Sequence, residues 1–150
     1  MLEAPAALKS ILVVEDTEYH YDLFKTWLEG QYCVTLAIDG ESAESRLSEG
    51  GSFDLLILDS KIPRRHDDDE PGRVESFSFL KEFRQRSTVP VILVVSHQID
   101  PALRTEAAKF HVSDILEKPF PSEELQKSIK RLLDKNLPSS GSRQRLAVTT

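Results

Sequence analysis

The chain has 150 residues, a formal net charge of −6 and an apolar fraction of 39%, which is ordinary for one globular domain with a sizeable core. The excess of acidic residues argues against a general binder of nucleic acid or of anionic membranes. Cys33 is the only cysteine, so no intrachain disulfide can form. The N-terminus does not resemble a signal peptide and no apolar run could span a bilayer, so we expect a cytoplasmic protein.

Apolar runs and helical periodicity alternate along the chain. The predicted strands are Ile11–Val14, Tyr32–Ile38, Phe53–Asp59, Val91–Val95 and Asp114–Glu117. The predicted helices run from an Asp16 or Thr17 cap to Gly30, over Glu41–Ser48, over Glu75–Arg86, onward from Asp100-Pro101, and over Ser122–Lys135. This alternation predicts an α/β fold, a doubly wound five-stranded parallel sheet flanked by five helices. We expect residues 1–9 to be a leader, 10–136 the domain, and 137–150 a flexible tail or linker.

Polar residues stand where the predicted strands end. Glu15-Asp16 follows the first strand, Asp59 ends the third, Ser96 follows the fourth and Lys118 follows the fifth. Because the carboxyl ends of parallel strands share one edge of a sheet, these side chains are expected to converge. Three carboxylates would repel one another without a cation between them, and oxygen ligands suit Mg²⁺. With a lysine and a hydroxyl, such a set can hold a phosphoryl group during transfer.

These motifs resemble those of bacterial response-regulator receiver domains over roughly residues 10–136. The matching pieces are Ile11-Leu12-Val13-Val14-Glu15-Asp16, Asp59 with Ile62-Pro63, Ser96, and Lys118-Pro119-Phe120. The resemblance implies a flavodoxin-like receiver fold and a role in two-component signalling. It also implies that the chain acts on no separate substrate, and that it catalyses only its own Mg²⁺-dependent aspartyl phosphorylation and dephosphorylation.

The resemblance assigns a role to each of the polar residues. Asp59 would accept a phosphoryl group from a sensor histidine kinase or a phosphotransfer protein. Lys118 would pair with that group, and Ser96 would bond to it and move. The bond between Lys118 and Pro119 would be cis. The implied Mg²⁺ ligands are Glu15, Asp16, Asp59 and the backbone carbonyl of Lys61.

The chain departs from the family pattern at several positions. Ile115 stands where the family usually has an aromatic residue, which puts the usual conformational readout in doubt. His97 stands where a small residue is usual, and is either a surface histidine or a control on phosphoryl lifetime. His111 replaces a glycine, and histidine tolerates positive φ better than most residues. The loop after Asp59 is unusually long and contains the charged run Arg64–Glu70, which is either a solvated loop or a lid or docking loop.

Other functions stay open on the sequence. A pseudo-receiver would use the same fold as a phosphorylation-independent protein-interaction module. A phosphohydrolase of the haloacid-dehalogenase type is disfavoured, because it would need a second acid at the position of Lys61. With no recognisable output domain, we expect either a stand-alone receiver or the N-terminal part of a longer protein. By family analogy, a homodimer could form through the fourth helix, fifth strand and fifth helix. The basic residues of that face are Arg104, Lys109, Lys127, Lys130 and Arg131.

Overall fold

The fold is an alternation of five strands and five helices. A computed structural model describes residues 7–63, 65, 73–96 and 98–134. The strands are β1 (Ser10–Val14), β2 (Cys33–Ala37), β3 (Leu55–Asp59), β4 (Val91–Val95) and β5 (Asp114–Glu117). The helices are α1 (Glu18–Leu28), α2 (Gly40–Ser48), α3 (Arg73–Arg84), α4 (Pro101–Lys109) and α5 (Ser122–Leu133). The predicted element order is therefore confirmed.

The strands form one parallel sheet in the order β2-β1-β3-β4-β5. The three central strands are the ones with almost continuous apolar sequence, and every residue of β3 and β4 is buried. The edge strands β2 and β5 keep partly exposed residues. The apolar runs thus mark strands covered on both faces, as expected of a parallel sheet, and the doubly wound fold is confirmed.

Two apolar layers lie on the two faces of the sheet. One layer packs α2, α3 and α4 against the sheet, with Phe83, Leu80 and Leu103 fully or almost fully buried. The other packs α1 and α5 against the sheet, with Phe24 and Ile129 among its buried residues. Ile115 belongs to the first layer, where it is partly buried. Each strand therefore sends alternate side chains to opposite layers.

The helix ends follow the capping signals in the sequence, with one exception. Asp39 and Ser42 form a reciprocal capping box at α2, and the Asp100 carboxylate accepts a hydrogen bond from the Leu103 backbone N–H at α4. Gly30 follows α1 with a φ of 92°, a conformation that favours glycine. The predicted side-chain cap of α1 is wrong: Thr17 occupies the cap position, but its side chain makes no capping hydrogen bond to the helix.

Some of the predicted features lie outside the described residues. These are His97, the charged loop apart from Arg65, the first six residues, and residues 137–150. His111 does have a positive φ of 55°, as its replacement of a glycine suggests. None of the described helices combines the length and the apolar character needed to cross a membrane.

Candidate functional site

The ends of β1, β3 and β5 bring an acidic cluster and a lysine together. Backbone hydrogen bonds continue the sheet by one residue past its strands: the N–H of Glu15 donates to Ala37 O at 2.9 Å, and the N–H of Lys118 donates to Val95 O at 2.7 Å. Residues immediately after the strands are therefore fixed by the sheet itself. This places the first acidic residue and the lysine at the same edge as Asp59, the last residue of β3.

Lys118 joins two of the carboxylates. Its Nζ donates to Glu15 Oε1 at 2.8 Å and to Asp59 Oδ2 at 2.7 Å. The side chains of Lys118, Asp59 and Glu15 are 8%, 7% and 0% exposed, so water screens these charges only weakly. One ammonium group thus bridges two buried carboxylates that start from different strands.

The second oxygen of each buried carboxylate is also held. Asp59 Oδ1 accepts a hydrogen bond of 2.7 Å from the backbone N–H of Lys61, and Glu15 Oε2 accepts one of 3.1 Å from the N–H of Thr17. Asp16 is partly exposed and completes the cluster. Carboxylate oxygens of Glu15, Asp16 and Asp59 all lie within 4.8 Å of one another.

The cluster carries more negative charge than its lysine can balance. Burial, followed by the charge of Asp59, raises the pKa of Glu15 from its ordinary 4.5 to about 7. The same two causes, in the same order, raise the pKa of Asp16. Burial alone would lower the pKa of Lys118, but the charges of Asp59 and Glu15 outweigh it and raise that pKa. The ammonium group therefore stays protonated, and the excess charge falls on the carboxylates.

This donor set fits a hard divalent cation. Three carboxylates facing one ammonium leave a formal excess of two negative charges, because three minus one is two. The raised pKa values of Glu15 and Asp16 reflect how unfavourable that excess charge is. Oxygen donors within 4.8 Å of one another suit Mg²⁺, which commonly uses one or two carboxylates and keeps several waters.

The chain after Asp59 is fastened by a serine that the sequence analysis missed. Ser76, in the first turns of α3, is fully buried. Its Oγ donates to the backbone carbonyl of Asp59 at 3.0 Å and accepts from the N–H of Ile62 at 2.9 Å. The sequence does contain a sign of this role. Ser76 shares the helical spacing of Leu80 and Phe83, so it is a polar residue on the face of the helix that packs against the core. Such a buried hydroxyl needs partners.

The remaining predicted residues occupy different places at this edge. Ser96 directly follows β4 and is exposed, and in the described part of the chain it makes no hydrogen bond to Asp59 or Lys118. Ile115 lies in the layer beneath the sheet. The Lys118-Pro119 peptide bond is cis, as the resemblance implies. Of the predicted set, the structure therefore gathers Glu15, Asp16, Asp59 and Lys118 most closely.

A groove of about 230 Å³ opens beside Lys118, between α1 and the chain that leads into α5. Its walls are mostly aromatic, and Trp27 packs against Phe120 with ring centroids 6.1 Å apart. His20 also lines the groove. Burial, and then the charge of Lys118, lower the pKa of His20, while the charge of Asp59 acts in the opposite direction. The groove thus presents an apolar surface next to the acidic cluster.

Comparison with known proteins places the chain in a family. The family model described as the response regulator receiver domain matches residues 11–130. That match covers the sheet except for its first residue and the first nine of the twelve residues of α5. The chain therefore belongs to the response regulator receiver domain family.

The relatives include transcriptional regulators. The transcriptional regulatory protein CrdR of Helicobacter pylori is 35% identical over 84% of this chain and 55% of its own length. The uncharacterized transcriptional regulatory protein YcbL of Bacillus subtilis is 30% identical over 79% of this chain and 48% of its own length. The chain thus spans about half the length of these two relatives.

Solved structures agree on the fold. A CheY-like receiver domain from Methanospirillum hungatei superposes with a TM-score of 0.72 at 24% identity, covering 86% of this chain and 96% of that one. A signal receiver domain of a two-component histidine kinase from Clostridium thermocellum gives a TM-score of 0.71 at 25% identity, covering 84% and 98%. The flavodoxin-like receiver fold is therefore confirmed.

Proposed function

We propose that this chain accepts a phosphoryl group on Asp59 from a phosphohistidine of a partner protein, with Mg²⁺ bound at the acidic cluster. The observation that carries the proposal is the double hold on the Asp59 carboxylate, by the Lys61 N–H at 2.7 Å and by Lys118 Nζ at 2.7 Å. These two donors fix the orientation of the carboxylate at the sheet edge. Orientation of a nucleophile before reaction is a large part of phosphoryl-transfer catalysis.

The transfer exchanges one bond to phosphorus for another. A carboxylate oxygen of Asp59 forms the new P–O bond as the P–N bond to the partner's imidazole breaks, and the electron pair of that bond returns to the ring nitrogen. The ammonium of Lys118, 2.7 Å from Asp59, is near enough to pair with the phosphoryl oxygens. Ser96 would hydrogen-bond to the phosphoryl group from the adjacent strand end.

The metal ligands in this proposal are Glu15, Asp16, Asp59 and the backbone carbonyl of Lys61. Bound Mg²⁺ would neutralise carboxylate charge and coordinate a phosphoryl oxygen. The protein's own part is to hold the oxygens together: the sheet fixes Glu15 and Asp59, and the Asp59–Lys61 bond orients the loop that carries the fourth donor. The excess of negative charge in the cluster supports this assignment.

The partner in this proposal is a sensor histidine kinase or a phosphotransfer protein, and the reaction takes place in the cytoplasm. The aromatic groove beside Lys118 offers an apolar surface next to the reacting carboxylate. The dimer proposed for the α4–β5–α5 face would use its basic side chains. Arg104, Lys109, Lys127 and Lys130 are exposed, whereas Arg131 is partly buried and bonded to Asp114.

The chain would act only on itself, with no separate substrate. The pseudo-receiver alternative rests on Ile115, His97 and the long charged loop after Asp59, and no contact in the described part of the chain adds to it. An intact cluster of three acids and one lysine is costly to keep in a module that never reacts, which favours the phospho-accepting function. In the same proposal, Ile115 and His97 modulate how the phosphorylated state is read out.

Acetyl phosphate with Mg²⁺ tests the function, with a phosphate-affinity gel as readout. We expect wild type to be modified and Asp59→Asn to show no modification. Asp54→Asn is the matched control, because Asp54 immediately precedes β3, at the end opposite to Asp59, where its carboxylate accepts the N–H of Ser10 at 2.8 Å. It should be modified like wild type. Wild-type protein that stays unmodified with or without Mg²⁺ would overturn the proposal.

A further inference from the structure

The loop that carries the fourth proposed metal ligand is held at several points. The N–H of Ser60 donates to Val94 O at 2.8 Å, and the carbonyl of Pro63 accepts from the N–H of Gly40 at 2.9 Å. Ile62 is fully buried in the layer between the sheet and α3. Between these points the chain passes through Lys61, whose N–H donates to the Asp59 carboxylate.

Ser76 holds this loop from the side of α3. One hydroxyl group joins the carbonyl of Asp59 to the N–H of Ile62, at 3.0 and 2.9 Å. A serine within a helix either faces solvent or bonds to the carbonyl four residues earlier in the chain. Here the partners are 17 and 14 residues away in sequence, and they stand on either side of Ser60 and Lys61. The hydroxyl therefore fixes the chain at both ends of the segment that contains Lys61.

We infer that Ser76 is a positioning residue for the metal site: its hydroxyl fixes the loop so that the Lys61 carbonyl and the Asp59 carboxylate are presented together to the cation. This inference rests on the proposed function. Ser76 touches neither substrate nor metal in this assignment and acts only through the backbone of residues 59–62. Groups that orient metal ligands from behind typically change metal affinity by about 10–100-fold when removed.

A plain structural role for Ser76 is the competing explanation, because any buried hydroxyl contributes to stability. Ser128 provides the matched comparison. It is also a buried serine on a helix, 2% exposed, and its Oγ donates to Asp114 Oδ2 at 2.6 Å. Asp114 is the first residue of β5, whereas Asp59 is the last residue of β3. This hydrogen bond therefore lies at the amino ends of the parallel strands, away from the acidic cluster at their carboxyl ends. Ser128→Ala removes a buried hydroxyl without touching the acidic cluster.

The first measurement is metal binding, with Mn²⁺ as the probe and the electron paramagnetic resonance signal of the free ion as readout. Ser76→Ala should weaken Mn²⁺ binding about tenfold, while Ser128→Ala should bind like wild type. Ser76→Thr keeps a hydroxyl and should bind Mn²⁺ more tightly than Ser76→Ala. Wild-type affinity in Ser76→Ala, or an equal loss in Ser128→Ala, would overturn the inference.

The second measurement is the rate of phosphorylation by acetyl phosphate as Mg²⁺ is raised. Because the inferred role acts through metal binding, Ser76→Ala should need about tenfold more Mg²⁺ for half its maximal rate and then approach the wild-type maximum. A maximum that stays low at saturating Mg²⁺ would overturn the positioning role while leaving the proposed function in place. Wild type without Mg²⁺-dependent modification would instead overturn the proposed function itself.

Discussion

Two ion-pair clusters lie at opposite ends of this sheet, and their charge balance differs. At the carboxyl end, Lys118 faces Glu15 and Asp59, with Asp16 close by. At the amino end of β5, Arg131 Nη2 donates to Asp114 Oδ2 at 2.7 Å, one charge against one. The second pair is balanced in charge, although the buried Nε of Arg131 has no hydrogen-bond partner among the described residues, while the first cluster keeps an excess of negative charge. Excess buried charge is costly for stability, so its presence points to a ligand.

Replacing the basic side chain of each cluster should give the largest difference in the free energy of unfolding. Lys118→Met leaves three carboxylates without their ammonium group, and removing one partner of a buried ion pair typically costs about 3–5 kcal/mol. Arg131→Met should cost only about 1 kcal/mol, because Asp114 is partly exposed and keeps its bond from Ser128. Urea unfolding at pH 8 without divalent ions measures both free energies of unfolding. Equal losses in the two variants would contradict the comparison.

The next largest effect is the pH dependence of stability, which comes from the acidic cluster at the carboxyl end. The pKa of Glu15 is raised from 4.5 to about 7 in the folded chain, so the folded state binds protons more tightly than the unfolded state. Stability without metal should therefore fall as pH rises from about 4.5 to about 7, because ionised Glu15 is disfavoured in the fold. The raised pKa of Asp16 acts in the same direction.

Metal affinity should show the opposite trend, since a cation competes with the proton on Glu15. Between pH 6 and pH 7.5 we expect Mg²⁺ affinity to rise roughly tenfold. Calorimetric Mg²⁺ titrations at both pH values measure this change. Glu15→Gln is the control, and its affinity should be weaker and less dependent on pH. A wild-type affinity that is flat across this range would contradict the raised pKa of Glu15.

How much of this could be predicted from sequence depends on the kind of feature. The bounds of β4 and β5 match the prediction. Each is a short strand whose end is marked in the sequence by a polar residue directly after it. Helix α3 begins at Arg73 rather than Glu75 and ends at Arg84 rather than Arg86. Helix ends are set by local hydrogen bonds rather than by the apolar pattern, which explains such shifts.

The site was predictable as a set of residues but not as a set of contacts. Strand ends in a parallel sheet had to bring Glu15, Asp59 and Lys118 to one edge. Sequence could not say that Glu15 is the fully buried member of the acidic pair and Asp16 the partly exposed one. It also could not give the partners of Ser76, because these bonds connect residues far apart in the chain.

The smallest predicted effect is the change in stability when one carboxylate of each cluster is made neutral. It is also the most specific, because the sign of the change should differ between the two clusters. Glu15→Gln removes one of the repelling charges while Lys118 keeps Asp59 as its partner, so at pH 8 without metal it should stabilise the fold by about 1 kcal/mol. Asp114→Asn breaks the balanced pair with Arg131 and should destabilise the fold by about 1 kcal/mol. Both variants remove one negative charge, so a general effect of net charge would shift both in the same direction. Urea unfolding of the two variants under identical conditions measures both changes in stability. Opposite signs support a carboxyl-end cluster whose repelling charges are kept for a cation. A loss of stability in Glu15→Gln would mean that Glu15 contributes to the fold as an ordinary ion-pair partner.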